Sequence, residues 1–261
     1  MQSIGGILGF MVKSKPSVKG PLAVFDVDGT LFRRGLLPAL TRRLVSEGIF
    51  PERVREELSR DYYAWVERRG SYDTYDGLVV DLFLRELKGT AATELQRCAR
   101  VEVEAHGRRL HMYTRDMAAR LKRAGYQLIA ISGSPQDILD LFLTPLGFDR
   151  SWGTVLAQDA RGCYNGEVLH YPFKNKRQVL EEFLSDADVD LEGSVGIGDT
   201  LSDVGFLELV WTPIAYNPNR SLFKVAQRRG WPIVVERKDV IYNLQTPLED
   251  PVLKDGTVWV G

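Results

Sequence analysis

Cysteine, histidine and long apolar runs are all scarce in this sequence of 261 residues, which contains two cysteines and three histidines. Two cysteines are too few for a disulfide framework in a chain of this length, and they favour a reducing compartment such as the cytoplasm. The three histidines show no metalloprotease spacing, so a zinc site is not expected. The longest apolar-looking run, residues 4–12, is too short to span a bilayer and lacks the flanks of a signal peptide.

An excess of charge of either sign is also absent. Lysine and arginine number 34, aspartate and glutamate number 35, and the net charge is -1. We therefore expect neither nucleic acid nor a membrane surface as a partner, because both attract strongly basic proteins. Apolar residues make up 44% of the chain, which is enough for a packed core. Residues 1–19 are predicted to form a flexible N-terminal arm.

Strand and helix patterns alternate along most of the chain. Such alternation predicts an α/β fold with a Rossmann-like, mainly parallel sheet and helices on both faces. Ligands of such sheets bind beyond the carboxyl ends of the strands. The predicted strands cover residues 22–25, 127–131, 154–157, 167–170, 195–197, 213–216 and 233–235, the third and fourth of which form a hairpin-like pair.

One long segment interrupts this alternation immediately after the first strand. Residues 34–111 carry no strand signal, and their apolar residues recur at helical spacing, with Gly70 and Gly89 as helix ends. The segment is predicted to be an inserted, all-helical cap, with residues 20–33 and 112–261 as the α/β core. Its aromatic residues, Tyr62, Tyr63 and Trp65 among them, are interpreted as core residues of the cap, or alternatively as the roof of a substrate pocket.

Two carboxylates follow the first predicted strand. Residues two apart in an extended chain point the same way, so Asp26 and Asp28 direct both side chains into one cleft, and Gly29 lets the chain turn away. Two carboxylates so close together repel each other unless one is protonated or a cation lies between them. Hard oxygen ligands of this kind suit Mg²⁺. The alternative interpretation is an ordinary turn or helix cap.

Polar residues also follow the second predicted strand. Ser134 has the character of a helix N-cap and Pro135 that of a first helical residue, which places Ser132 and Gly133 at a helix N-terminus. Free backbone N–H groups at such a position favour a phosphate. The alternative is a cap that binds no ligand.

Two further carboxylates and a pair of lysines complete the set. Asp199 follows an apolar strand, and Asp203 lies one helical turn further on and on the same face. Lys174 and Lys176 stand at the start of a predicted helix, where a cation opposes the helix dipole and a functional role could explain it. A solvated run of charge and a surface acid are the alternatives for these residues.

Taken in order, these four motifs resemble those of the haloacid dehalogenase-like superfamily. The motifs are D-x-D-G-T, S-G-S, a lysine at a helix start and G-D-x-x-x-D, and the match extends from about residue 21 to 231. The helical insert after the first motif and the I-S-G-S-P form of the second resemble the phosphoserine-phosphatase-like branch. The resemblance implies a Mg²⁺-dependent phosphomonoester hydrolase that acts on a small phosphorylated metabolite through an aspartyl-phosphate.

The resemblance also implies a role for each motif residue. Asp26 would be the nucleophile, and Asp28 would protonate the leaving group and then deprotonate water. Lys176 matches the family spacing better than Lys174, because x-x-Val-Leu-Glu follows it. The implied phosphate-binding groups are Ser132, the Gly133 N–H and Lys176. The implied Mg²⁺ ligands are the carboxylate of Asp26, the backbone carbonyl of Asp28 and the carboxylate of Asp199, with Asp203 completing or supporting the shell.

Two residues near the first motif bear on the substrate. Phosphoserine phosphatases carry a glutamate for the substrate amine where this chain has Gly35, so phosphoserine is not the expected substrate. We hypothesise instead that Arg33 or Arg34 binds a second anionic group; an exposed helix start is the alternative. Two other functions stay open, a phosphotransferase of the same fold and a non-catalytic phosphate- or Mg²⁺-binding regulatory protein. The sequence does not indicate an oligomeric state.

Overall fold

A computed structural model describes residues 20–186, 189 and 191–244, and the predicted arm at residues 1–19 lies outside them. These residues form an eight-stranded sheet. Its strands are β1 (Leu22–Phe25), β2 (Gln127–Pro135), β3 (Arg150–Gln158), β4 (Tyr164–His170), β5 (Val195–Gly198), β6 (Thr212–Tyr216), β7 (Ile233–Arg237) and β8 (Val240–Asn243).

The order of the strands places β1 near the middle of the sheet. The order is β4-β3-β2-β1-β5-β6-β7-β8, in which β4 and β8 pair antiparallel with their neighbours and all other pairs are parallel. Val24 pairs with Ile129 of β2 on one side and with Gly196 of β5 on the other. The predicted mainly parallel sheet is confirmed, and the chain segments that follow β1, β2 and β5 meet at one edge.

The helices are distributed between an inserted segment and the two faces of the sheet. α1 to α4 all fall within residues 34–111, after β1 and before the helix that leads to β2. The helices are α1 (Leu36–Ser46), α2 (Arg53–Val66), α3 (Tyr72–Leu87), α4 (Ala92–His106), α5 (Met112–Arg123), α6 (Gln136–Leu143), α7 (Lys176–Asp186), α8 (Val204–Leu207) and α9 (Arg220–Arg229). Within the described residues, none of these helices is long and apolar enough to cross a bilayer.

Strand β1 is buried on both faces. Leu22 and Val24 pack into an apolar cluster with residues of α7, α8 and α9, while Ala23 and Phe25 pack into a second cluster with residues of α1, α5 and α6. All four side chains are fully buried. The second cluster continues without a break into α2, α3 and α4. β1 has no polar side chain along its length, as expected of a strand buried on both faces. The first charged residue, Asp26, follows directly after the strand ends.

Candidate active site

Three of the predicted acidic residues converge at the carboxyl ends of β1 and β5. The backbone N–H of Asp26 donates to the Ile197 carbonyl at 2.9 Å, so the two strands stay paired up to the point where their acidic residues begin. Carboxylate oxygens of Asp26, Asp199 and Asp203 all lie within 4.8 Å of one another. This separation is short enough for the three side chains to share one coordination sphere.

Two glycines make this convergence sterically possible. Gly29 has a φ of +88°, and a Cβ at this position would lie 2.2 Å from Oδ2 of Asp199. A Cβ on Gly198 would lie 2.5 Å from Cβ of Asp203. Any larger residue at either position would push a carboxylate out of the cluster, so the glycines of the D-x-D-G and G-D motifs are steric requirements of the site.

A buried lysine links two of these carboxylates. Nζ of Lys176 donates to Oδ1 of Asp26 and to Oδ1 of Asp203, both at 2.6 Å, and its side chain is 1% exposed. Lys174 lies on the surface instead, with Nζ 5.7 Å from the centre of the Tyr171 ring. The structure therefore brings Lys176 into the site and leaves Lys174 outside it.

Burial and crowding make the acidic cluster electrostatically unusual. Burial, and to a lesser extent the neighbouring carboxylates, raise the pKa of Asp26 to about 7, although the charge of Lys176 opposes the rise. Burial and the charges of Asp26 and Asp203 also raise the pKa of Asp199 well above its ordinary value. Oδ2 of Asp26 is buried and has no hydrogen-bond partner among the described residues. A cluster with an excess of negative charge and an unpartnered buried oxygen fits a divalent cation.

Asp203 differs from the other two because both of its oxygens are engaged. Oδ2 accepts hydrogen bonds from the N–H groups of Asp199 and Thr200, at 3.0 and 2.8 Å, and Oδ1 accepts from Lys176. Its side chain is fully buried. Asp203 thus holds the loop that carries Asp199 and orients Lys176, while Asp26 and Asp199 offer the less committed oxygens.

The carboxylate of Asp28 lies outside this cluster and belongs to a second set of contacts. Its Oδ2 accepts from Oγ of Ser132 at 2.6 Å and from Oγ of Ser134 at 2.9 Å, and its Oδ1 accepts from the Leu36 N–H at 2.6 Å. Leu36 is the first residue of α1, so this hydrogen bond ties Asp28 to the start of the inserted helices. The role assigned to the backbone carbonyl of Asp28 stays a prediction.

The prediction that Ser134 caps the following helix is wrong. Strand β2 continues through Pro135 and α6 begins at Gln136, so the prediction that Ser132 and Gly133 lie at a helix N-terminus is wrong as well. Ser134 makes no capping hydrogen bond to α6, and its hydroxyl accepts from the Leu37 N–H of α1 at 3.2 Å instead. The reason is a long-range partner, because the Ser134 hydroxyl donates to Asp28. Ser132 and Ser134 are two residues apart on an extended strand, so the same alternation that paired Asp26 with Asp28 could have indicated that both serines face one cleft.

A large cavity lies between the acidic cluster and the inserted helices. It has a volume of about 1200 Å³, and Asp199, Gly29 and Gly35 line it together with residues of α1, α2 and α3 and the start of α9. Tyr62, Tyr63 and Trp65 line the cavity, which agrees with the alternative interpretation of these aromatics as a roof. Sequence reasoning missed Tyr72, which also lines the cavity.

Arg33 is anchored away from the acidic cluster by a buried glutamate. Nη2 of Arg33 donates to Oε1 of Glu236 at 2.6 Å. Oε2 of Glu236 accepts from the Tyr113 N–H at 2.9 Å and from the Tyr216 hydroxyl at 2.8 Å. Nδ1 of His111 lies 3.5 Å from Oε1 of Glu236. Arg33 is therefore engaged with this carboxylate, and the hypothesis of an arginine for a second anion passes to Arg34.

Glu236→Gln is expected to lower the free energy of unfolding by about 3 kcal/mol at pH 7. Burial alone would raise the pKa of Glu236, but the hydrogen bonds from Tyr113, Arg33 and Tyr216 lower it to about 2 from an ordinary 4.5. Because the pKa is lower in the folded protein, the stabilisation is complete above about pH 4.5 and is lost as the pH falls towards 2.

Urea unfolding of the wild-type and Glu236→Gln proteins at pH 7 and at pH 3 measures this difference. The gap in unfolding free energy should shrink at pH 3. Glu104→Gln, a substitution of an exposed glutamate on α4, is the matched control and should change stability by less than about 0.5 kcal/mol. If the difference in unfolding free energy between wild type and Glu236→Gln were equally large at both pH values, the stabilisation would not come from the ionised carboxylate of Glu236.

The sequence matches one family model and several curated proteins. A family model described as haloacid dehalogenase-like hydrolase matches residues 23–208. An "inhibition of morphological differentiation protein" of Streptomyces azureus is 33% identical over 112 residues, which are 42% of this chain and 40% of that relative, so the chain spans less than half of its length. A histidinol-phosphatase of Neisseria meningitidis is 25% identical over 227 residues, which are 82% of this chain and 97% of that relative.

The solved structures with a similar fold include phosphoserine phosphatases. The phospho-aspartyl intermediate analogue of a phosphoserine phosphatase matches with a TM-score of 0.56 and 21% identity, over 85% of this chain and 95% of that chain. At this level of identity the likeness is one of fold.

Proposed function

The chain belongs to the haloacid dehalogenase-like hydrolase family, and from this premise we propose that it is a phosphatase of the phosphoserine-phosphatase-like type. The proposed reaction is the hydrolysis of a small phosphorylated metabolite through an aspartyl-phosphate, with Mg²⁺ as cofactor. One observation carries the proposal. The buried carboxylate of Asp26 has one oxygen on Lys176 and the other without a partner among the described residues, next to the carboxylate of Asp199. An unpartnered oxygen beside a fixed cation has the environment of a nucleophile that attacks phosphorus.

Mg²⁺ would be held by the carboxylates of Asp26 and Asp199, with the Asp28 backbone carbonyl as a further ligand. Asp203 would support this set by orienting the Asp199 loop, since its own oxygens are engaged. The cation would supply positive charge against the carboxylates and the oxygens of the phosphate ester. The cytoplasmic location expected from the low cysteine content stays a prediction.

The proposed reaction proceeds in two steps that Asp26 and Asp28 share. In the first step, an oxygen of Asp26 bonds to phosphorus, the ester P–O bond breaks, and Asp28 gives a proton to the departing oxygen. In the second, Asp28 takes a proton from a water molecule whose oxygen attacks phosphorus, and inorganic phosphate leaves Asp26 as a free carboxylate. Ser134 holds the Asp28 carboxylate in place for both proton transfers.

Three groups would balance the charge of the phosphoryl oxygens. Nζ of Lys176 lies 2.6 Å from Oδ1 of Asp26, and the Ser132 hydroxyl, which donates to Asp28 at the same distance, would turn to the phosphoryl oxygens when they are bound. Gly133 follows Ser132 directly, and a Cβ at this position would lie 3.2 Å from the Phe173 side chain. Donors beside both reacting carboxylates stabilise the charge that spreads over the oxygens during transfer.

Release of inorganic phosphate from a panel of phosphomonoesters tests the proposal. We expect release with Mg²⁺, a loss of at least about 100-fold with a chelator, and recovery when Mg²⁺ is restored. Calorimetric titration with Mg²⁺ is a second readout, in which Asp199→Asn should bind Mg²⁺ at least about tenfold more weakly than wild type. No release from any ester would favour the regulatory protein, and consumption that needs an alcohol acceptor would favour the phosphotransferase.

A further inference from the structure

The large cavity beside the acidic cluster is lined by positive charge. Asp199 is the one carboxylate among its described lining residues, whereas five arginines line it. An excess of guanidinium groups around a single concave space raises the local concentration of anions. The arginines are Arg33, Arg34, Arg42, Arg68 and Arg220.

Four of these arginines have no carboxylate partner among the described residues, and three of the four make no side-chain hydrogen bond there either. Arg33 is bound to Glu236, and Arg42 donates to the Tyr75 hydroxyl at 2.8 Å. The other three, Arg34, Arg68 and Arg220, are exposed, and their guanidinium groups have no carboxylate partner in the described part of the chain. Guanidinium groups that line one cavity without a partner favour a carboxylate or phosphate, to which each can donate two parallel hydrogen bonds.

The backbone around the cavity adds to the same preference. Asn219 caps α9 by accepting from the Leu222 N–H, and Asn219, Arg220 and Ser221 all line the cavity. The positive end of the α9 dipole therefore faces this space. Arg68 has a φ of 63° just after α2, the left-handed conformation in which helices commonly end, and this turn brings it to the cavity lining.

Size and aromatic content define the rest of the ligand. A cavity of about 1200 Å³ exceeds the usual range for small-molecule sites, roughly 300–1,000 Å³, so a three-carbon phosphate would leave most of it empty. Tyr62, Trp65 and Tyr72 form an aromatic wall, and Trp65 and Tyr75 stack with 10° between their planes. Aromatic and guanidinium surfaces together suit a planar ring.

We infer that the substrate is a phosphomonoester whose leaving group contains an aromatic ring and a second anionic group, and that Arg34, Arg68 and Arg220 bind that anion. This inference rests on the proposed function, because Asp26 must take the ester phosphate for the arginines to meet the other end of the molecule. Asp199, the one carboxylate among the described lining residues, is a proposed Mg²⁺ ligand and leaves none for an ammonium group, so aminated esters such as phosphoserine and histidinol phosphate should be poor substrates.

Nucleotides with one or two phosphates provide matched probes. Adenosine 3′,5′-bisphosphate and adenosine 5′-monophosphate share the ring and one ester and differ by one anionic group. Wild type should hydrolyse the bisphosphate with a kcat/KM at least about tenfold higher. Fructose 1,6-bisphosphate has two phosphates and no aromatic ring and should be at least about threefold poorer than adenosine 3′,5′-bisphosphate. Equal kcat/KM values within either comparison would overturn the corresponding part of the inference.

Variants test whether the arginines cause the preference. The double variant Arg68→Ala/Arg220→Ala should lower the ratio of kcat/KM for the two adenosine phosphates to near one, and Arg34→Ala should lower it in part. Arg228→Ala, at the other end of α9 and outside the cavity lining, is the matched control and should keep the wild-type ratio. A double variant that keeps the wild-type ratio would overturn the assignment of these arginines.

Binding separates this inference from the proposed function. Affinity of the Asp26→Asn protein for the two adenosine phosphates, measured by calorimetry, does not depend on turnover. A preference for the bisphosphate that is lost with Arg68→Ala/Arg220→Ala supports the second anion site even if no ester is hydrolysed. Hydrolysis of adenosine 5′-monophosphate with no preference in turnover or binding would leave the phosphatase proposal intact and overturn this one.

Discussion

The Asp26→Asn protein is expected to lose phosphomonoester hydrolysis by at least about 10⁴-fold in kcat. An amide is a very poor nucleophile, and the aspartyl-phosphate cannot form without the carboxylate. The substitution keeps the shape of the side chain and an oxygen that can still accept from Lys176. Release of inorganic phosphate from an ester that wild type hydrolyses, at saturating concentration, measures the loss.

Chemical trapping distinguishes a lost nucleophile from a lost site. Acid quenching of wild type during turnover of an ester with a radiolabelled phosphate should leave the label on the protein. The Asp26→Asn protein should carry no label. Asp116→Asn, a partly exposed substitution on α5, is the control and should behave as wild type in both assays. Turnover by Asp26→Asn within about tenfold of wild type would mean that another group attacks phosphorus.

Lys176→Met is expected to lower the free energy of unfolding by about 3–5 kcal/mol at pH 8 and to abolish turnover. Methionine fills a similar volume but leaves the buried carboxylates of Asp26 and Asp203 without their shared cation. Removing one member of a buried ion pair is costly because the remaining charge is both desolvated and uncompensated.

The pH dependence of this effect follows from the carboxylates. Burial raises the pKa of Asp26 to about 7 even with Lys176 in place, and loss of the lysine charge raises it further. A carboxylic acid whose pKa is higher in the folded protein takes up a proton on folding, so stability falls as the pH rises above its unfolded pKa. The deficit of Lys176→Met should therefore be smaller at pH 5 than at pH 8, as measured by urea unfolding.

Lys174→Met is a closely matched control for this experiment. Lys174 lies two residues away, is exposed and stands over the Tyr171 ring. Its substitution should change the free energy of unfolding by less than about 0.5 kcal/mol. If Lys176→Met were as stable as Lys174→Met, the buried ion pairs of Lys176 would not contribute to the free energy of unfolding as their geometry indicates. Asp26→Asn provides a further contrast, because removing one of the crowded negative charges should not destabilise the protein at pH 8.

Local patterns were sufficient to predict the frame of the active site. The apolar run before Asp26 and the one before Asp199 read as buried strands, and both are strands of the parallel sheet. The alternation of an extended chain predicted that Asp26 and Asp28 share one cleft, whereas the Asp28 carboxylate lies outside the acidic cluster, on Ser132 and Ser134. The four motifs in order then indicated the family, which the family model confirms.

Local patterns failed where a side chain has a distant partner. Ser134 has the sequence context of a helix cap, but its hydroxyl donates to Asp28, 106 positions away along the chain. Arg33 looked available for substrate, but Glu236 holds it from a strand 203 residues further on. Strand β8 carried no recognised signal, since an exposed edge strand lacks the apolar run that marks a buried one.

The sequence by itself determined which chemical groups lie at the carboxyl edge of the sheet, because strand periodicity and apolar runs depend on neighbouring residues alone. Only the tertiary structure decided how those groups are paired. It placed Lys176 between two carboxylates, left Oδ2 of Asp26 unpartnered among the described residues, and gathered arginines from α1, the end of α2 and the start of α9 around one cavity. Such pairings arise when distant segments pack together, and their energies depend on burial and distance, which no local pattern encodes.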